Sequence, residues 1–171
     1  MAELVYSYKK EPPFRMIGVP CLVTASDDCY EQASNPEPED FFMTAFWDTG
    51  ATGCAISKGL IDFLGIQPTG ELETFIGANG TYESETYRVN IHLSDKIVFK
   101  NILVSEMKRD TRICCIIGLE VIAKSDFVIE PNDDTILLKF RYPGEGHQCF
   151  ESTPVHLQTN TCIEIRNKKK K

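Results

Sequence analysis

Phe46-Trp47-Asp48-Thr49-Gly50-Ala51-Thr52 is the stretch on which the fold turns, because an apolar run there delivers one acid into a turn built on glycine. The β-branched and aromatic content of 41–47 reads as a strand, which puts the backbone of Asp48 in the interior at a strand end. An ionised carboxylate in such a place is costly unless it is paired or hydrogen-bonded. Gly50 lets backbone N–H groups approach that carboxylate with no side chain in the way, and Thr49 offers a hydroxyl to lock the turn. A turn aspartate at a strand end is the alternative reading, and the tripeptide alone does not separate the two.

Working outward, 57–66 (SKGLIDFLGI) has apolar residues at 60, 61, 63 and 64, with Ser57 placed as an N-cap and Gly65 as a C-terminal cap glycine, so a short helix is predicted. A strand over 71–77, a tight turn at Ala78-Asn79-Gly80 and a long returning strand over 81–93 follow, the Asn-Gly pair being the hairpin signal. Along the returning strand Tyr87, Val89, Ile91 and Leu93 alternate with Arg88, Asn90 and His92, a period of two that buries the first set and leaves the second on the polar side. Strands over 96–104 and 112–117, a helical turn or two over 119–124, and a hairpin of 126–130 with 135–141 complete the pattern. Upstream, 15–24 reads as a strand interrupted by Pro20, hence an edge or a bulge. The fold class is mainly β with two short helices, and no repeat of 20–50 residues is visible.

The segment 44–57, TAFWDTGATGCAIS, resembles the active-site segment of the retropepsin-like aspartic peptidases. Ile116-Ile117-Gly118-Leu119-Glu120-Val121-Ile122 is similar to that family's second signature, apolar residues and glycine before a short helix. Ile76-Gly77-Ala78-Asn79-Gly80-Thr81 lies where the family places its flap. The resemblance covers 41–142 and is closer to cellular and bacterial members than to viral ones. It implies a single-lobe acid-protease β-barrel with a flap hairpin, within one domain over 1–171. An N-terminal extension with an acidic loop at 26–40 would precede that core, and a segment at 143–171 with a basic tail at 168–171 would follow it.

What the resemblance implies chemically is an aspartic endopeptidase. Asp48 would supply one half of a dyad whose two carboxyl groups, about 3 Å apart, share a proton, one activating water and the other bonding the substrate carbonyl. Thr49 would brace the two loops across a dimer axis, Gly50 would give backbone contacts, and Ala51 would close the loop. Ile76, Gly77, Ala78, Asn79 and Gly80 would form a flap over a peptide or protein substrate in extended conformation. Ile117 and Gly118 would be the second signature. Ala51 lacks the hydroxyl that many bilobal relatives place beside the carboxylate, so activity reaching weakly acidic or neutral pH is expected. One Asp-Thr-Gly in 171 residues implies a homodimer. The alternative is a catalytically silent module that binds peptides or dimerises. Neither metal nor cofactor is called for.

Bulk composition narrows the rest. Lys and Arg number 18 against 25 Asp and Glu, for a net charge of −7, the opposite sign from a domain that neutralises nucleic acid. The longest apolar run, 113–119, is far short of the ~20 residues that span a bilayer, and the N-terminal stretch has no secretory pattern. Seven cysteines (21, 29, 54, 114, 115, 149 and 162) show no C-x-x-C spacing, against a disulfide scaffold or zinc knuckle and for a reducing cytoplasm. Cys114 and Cys115 are expected in the core. Asp133-Asp134 reads as a turn, Asp126 as a cap or surface acid, and His92 as a surface histidine. Nothing in the spacing pairs Cys54 with His92, His147 or His156, and 162–166 is a weak strand candidate.

Overall fold

The computed structural model describes residues 2–9, 16–26, 43–77, 80–107, 113–131 and 133–142. The strands are β1 (Ala2–Lys9), β2 (Gly18–Ala25), β3 (Met43–Trp47), β4 (Cys54–Ser57), β5 (Leu72–Gly77), β6 (Gly80–Ser94), β7 (Ile97–Met107), β8 (Cys115–Ile117), β9 (Asp126–Pro131) and β10 (Thr135–Tyr142). Two short helices, α1 (Lys58–Leu64) and α2 (Leu119–Ile122), follow β4 and β8.

Alternating apolar residues on these strands have one interior to share, and they close around it. The order β2-β3-β8-β4-β7-β6, with β6 pairing back onto β2, makes a six-stranded barrel from which β5 extends as a hairpin arm on β6. Val19, Val23, Ala45, Ile56, Val89, Ile91, Val104 and Ile117 fill it, each at most 1% exposed. Burying a side chain of this kind is worth ~1.5–3 kcal/mol, which sets the register of every barrel strand. The fold is thus mainly β, a closed six-stranded barrel with few helical residues.

A second sheet, β1-β10-β9, packs on the barrel through Leu138 and Phe140. Trp47 at the end of β3 meets its rings, at 4.8 Å from Phe140 and 5.1 Å from Phe127. β1 was not anticipated as a strand, yet it pairs with β10 from Ala2↔Tyr142 to Lys9↔Thr135. Leu4, Tyr6 and Tyr8 pack on the core while Glu3, Val5, Ser7 and Lys9 are exposed. Tyr8 also donates to the carbonyl of Gly18 at 2.8 Å, tying the sheet to β2.

Local signals were realised closely in α1. The Ser57 hydroxyl accepts from the Leu60 N–H at 3.3 Å, and Gly65 ends the helix at φ 62°. Pro20 lies opposite Thr44 in the half of β2 that pairs with β3, shortly before the strand changes partner to β6 between Cys21 and Leu22.

Asn90 corrects the simple alternation. A register shift between Val89 and Ile91 turns it inward, to 6% exposure. Its amide donates to the Ala25 carbonyl at 3.2 Å and accepts from the Asn101 N–H at 2.9 Å. Asn101 itself adopts φ 54°, a left-handed conformation that asparagine tolerates. His92 is half-buried, with Nε2 at 3.2 Å from the Thr24 hydroxyl. Cys21, Cys54 and Cys115 are buried free thiols, whereas Cys114 is only half-buried.

Candidate active site

β8 lies between β3 and β4, the two strands that flank the Asp48 turn. β3 runs parallel to β8, Trp47 opposite Ile117, and the Asp48 N–H continues the ladder to the Ile117 carbonyl at 3.0 Å. The buried side chains of Ala45 and Trp47 hold β3 in place, and the chain emerges at Asp48. Asp48 is exposed, a correction to the interior position that the apolar run before it suggests: burial stops one residue earlier.

The turn is built from main-chain bonds. The Ala51 N–H donates to the Asp48 carbonyl at 3.2 Å, and the Gly50 N–H donates to Asp48 Oδ1 at 2.8 Å. That second bond fixes one carboxylate oxygen of a side chain that is otherwise exposed. Thr49 is exposed, and among the described residues its hydroxyl makes no hydrogen bond, so glycine geometry rather than the threonine side chain locks the turn in a single copy.

Gly118 supports the turn from below. A Cβ on this buried residue would lie 2.1 Å from the Gly53 carbonyl oxygen and 3.0 Å from that of Ala51. Its backbone is extended, φ −91°, so glycine is needed here for space rather than for a left-handed conformation. The close approach lets the Leu119 N–H reach the Ala51 carbonyl at 2.9 Å and the Glu120 N–H reach that of Thr52 at 3.0 Å. The structure therefore brings Asp48, Thr49, Gly50, Ala51, Ile117 and Gly118 together.

Ile76, Gly77 and Gly80 lie on the β5–β6 arm, which pairs from Leu72↔Glu85 to Gly77↔Gly80 and carries a stacked Phe75–Tyr82 pair at 5.4 Å. Ala78 and Asn79 lie outside the described residues, as do the loop 27–40 and the segment 143–171. Among the described residues no hydrogen bond joins the arm to the Asp48 turn.

Two features escaped the sequence reading. A cleft of about 460 Å³ opens beside Asp48 and Thr49, walled by Met16, Phe46, Ile116, Phe127 and Ile129 among others. Those residues come from three separate strands and a loop, and no local pattern unites them. The other is Glu120, whose Oε1 accepts from the Cys54 N–H at 3.1 Å. Burial pushes the Cys54 thiol up to about 12, the Glu120 carboxylate adding to the effect, so it is neutral at physiological pH and no nucleophile. Among the described residues no three His, Cys, Asp or Glu side chains cluster as metal ligands, and no helix is long and apolar enough to cross a membrane.

Residues 41–121 match the family model described as aspartyl protease. No curated protein matches the chain. Among solved structures it is similar to a retropepsin-like aspartic protease from Rickettsia conorii, with 16% identity over 81% of this chain and 93% of that one, TM-score 0.49. It is similar also to the retroviral protease-like domain of Ddi1 from Leishmania major, with 18% identity over 72% of this chain and 93% of that one, TM-score 0.40. The segment that matches the aspartyl protease family model is the one that carries both the Asp48 turn and the Gly118 support.

Proposed function

We propose that the protein is an aspartic endopeptidase whose catalytic dyad forms when two copies bring their Asp48 side chains together. The observation that carries the reading is the exposed Asp48 carboxylate, held at one oxygen by the Gly50 N–H over the Ile117–Gly118 support. A fixed, exposed carboxylate is one half of a two-acid site, and a two-fold axis through the turn supplies the other half. Two carboxyl groups about 3 Å apart hold a single proton between them. The ionised member takes a proton from water as it attacks the peptide carbonyl, and the protonated member hydrogen-bonds the carbonyl oxygen. The proton then passes to the leaving amine, and the shared-proton state returns.

The apolar cleft beside Asp48 suits hydrophobic side chains flanking the scissile bond, and Met16 and Ile129, 52% and 44% exposed, are surfaces that gain from being covered. The β5–β6 arm supplies the flap, closing over an extended peptide with main-chain bonds. Free buried thiols fit a reducing, cytoplasmic setting. The competing reading, a peptide-binding module without turnover, rests on the same cleft and differs in needing no dyad.

The test is cleavage of unstructured polypeptides over roughly pH 3–7, with and without a pepstatin-type inhibitor. Asp48→Asn should keep the fold and abolish cleavage. Binding without cleavage by the wild type would favour the silent module, and full turnover by Asp48→Asn would refute the assignment.

A further inference from the structure

Three contacts reach from the Gly118–Glu120 segment to the chain that leaves the Asp48 turn. Two of them, to the carbonyls of Ala51 and Thr52, come from the backbone N–H groups of Leu119 and Glu120. Any residue other than proline could make them. The third is specific to one side chain: the Cys54 N–H is held by the Glu120 carboxylate at 3.1 Å.

That donor needs an acceptor. Cys54 is 1% exposed and opens β4, where the chain enters the barrel, and a buried N–H without a partner is rare and costly. Gly53 has no side chain to offer, and its carbonyl belongs to the same planar trans peptide as that N–H and points the opposite way, so the Glu120 carboxylate is the acceptor. Glu120 thus grips the segment 52–54 at both ends, by its own N–H on Thr52 and its carboxylate on Cys54. The turn is closed onto this segment through Ala51, whose carbonyl binds Leu119 and whose N–H binds Asp48.

We propose that Glu120 is a positioning residue of the active site: its carboxylate anchors the far end of the 48–54 loop, and so holds Asp48 and the Gly50 N–H in the geometry the dyad requires. The inference rests on the aspartic-peptidase reading of Asp48 and adds a residue outside the Asp-Thr-Gly motif to it. The requirement is for a side-chain oxygen at glutamate length, not for charge. Gln keeps that acceptor and Ala removes it.

The experiment compares the wild type, Glu120→Ala and Glu120→Gln as full-length proteins at a concentration where each is folded and associated. Steady-state cleavage is read together with hydrogen exchange at the Cys54 amide. Glu120→Ala should lower kcat by about ten- to a hundredfold with KM nearly unchanged, because a displaced catalytic group costs rate rather than binding. Cys54 exchange should quicken at least about tenfold in that variant. Glu120→Gln should restore both readouts to within a few-fold of the wild type. A residue that only stabilised the fold would leave kcat per folded molecule unmoved, and that result overturns the proposal. So does a Glu120→Gln variant as slow as Glu120→Ala, which would make the charge the operative property. If the wild type cleaves nothing, the peptidase reading itself fails and the positioning role falls with it, a result distinct from an active wild type indifferent to Glu120.

Discussion

Replacing Gly118 by alanine adds one methyl group to the best-defined close approach in the molecule. The new Cβ would stand 2.1 Å from the Gly53 carbonyl oxygen, 2.7 Å from its carbon and 3.0 Å from the Ala51 carbonyl oxygen. All three obstacles are backbone, so no rotamer change relieves them, and the 50–53 loop must move by about 1 Å, beyond what a packed interior absorbs freely. Overpacking of this kind costs ~1–3 kcal/mol and the rigidity of the obstacle places it at the upper end. The same movement loosens the bonds from Leu119 and Glu120 to Ala51 and Thr52, each worth ~1 kcal/mol, for a total of about 3–5 kcal/mol. Gly59→Ala is the matched control: Gly59 is exposed in α1, nothing lies within 4 Å of its added Cβ, and helix propensity should improve stability by ~0.5–1 kcal/mol. Equilibrium urea unfolding of both variants, compared at a common slope, reads the difference. A Gly118→Ala protein within ~1 kcal/mol of the wild type would refute the account of how the loop is supported.

Further expectations follow from the same contacts. In Gly50→Ala the added Cβ would press on Asp48 Oδ1 at 3.2 Å, so the carboxylate should rotate away and cleavage fall about ten- to a hundredfold while stability changes by under ~1 kcal/mol. Among the described residues Trp47 Nε1 is buried without a hydrogen-bond partner, so Trp47→Phe, which keeps a ring against Phe127 and Phe140, should unfold within ~1.5 kcal/mol of the wild type, whereas Trp47→Ala should lose ~3–5 kcal/mol. Burial raises both the Cys54 thiol and the Tyr8 phenol to about 12, from 9.0 and 10.0. The native state therefore holds these protons more tightly than the unfolded chain, and their contribution is complete below pH 9 and lost as pH rises toward 12. Chemical denaturation between pH 8 and 12 should show a decline over that window, and a flat profile would contradict it.

Much of the candidate site was legible because its causes are local. An apolar strand ending in Asp-Thr-Gly, and apolar residues followed by glycine and a short helix, are each contained in a few residues, and the barrel aligns Trp47 with Ile117. The caps of α1 were legible for the same reason. What stayed hidden depends on partners far apart in the chain. β1 alternates Leu4, Tyr6 and Tyr8 with polar residues, but its pairing strand begins at Thr135. Asn90 breaks the alternation because a bulge, set by its contacts to Ala25 and Asn101, rotates it inward. The Glu120 clasp joins residues 66 positions apart, and the exposure of Asp48 depends on where the β3–β8 ladder ends rather than on hydrophobicity.

The central claim is that one Asp48 is half of a catalytic site. Subunit mixing tests it most directly: a fixed amount of wild-type protein is equilibrated with an equal amount of Asp48→Asn, and cleavage is compared with the same amount of wild-type protein equilibrated alone, both at concentrations where the chains are fully paired. A shared dyad diverts wild-type chains into inactive mixed pairs, so activity should fall to about half, and further with more variant. Activity unchanged by the variant, while exchange into mixed pairs is demonstrated by a tag on one partner, would mean that each chain cuts with its own Asp48 alone or with another group, and would contradict the account.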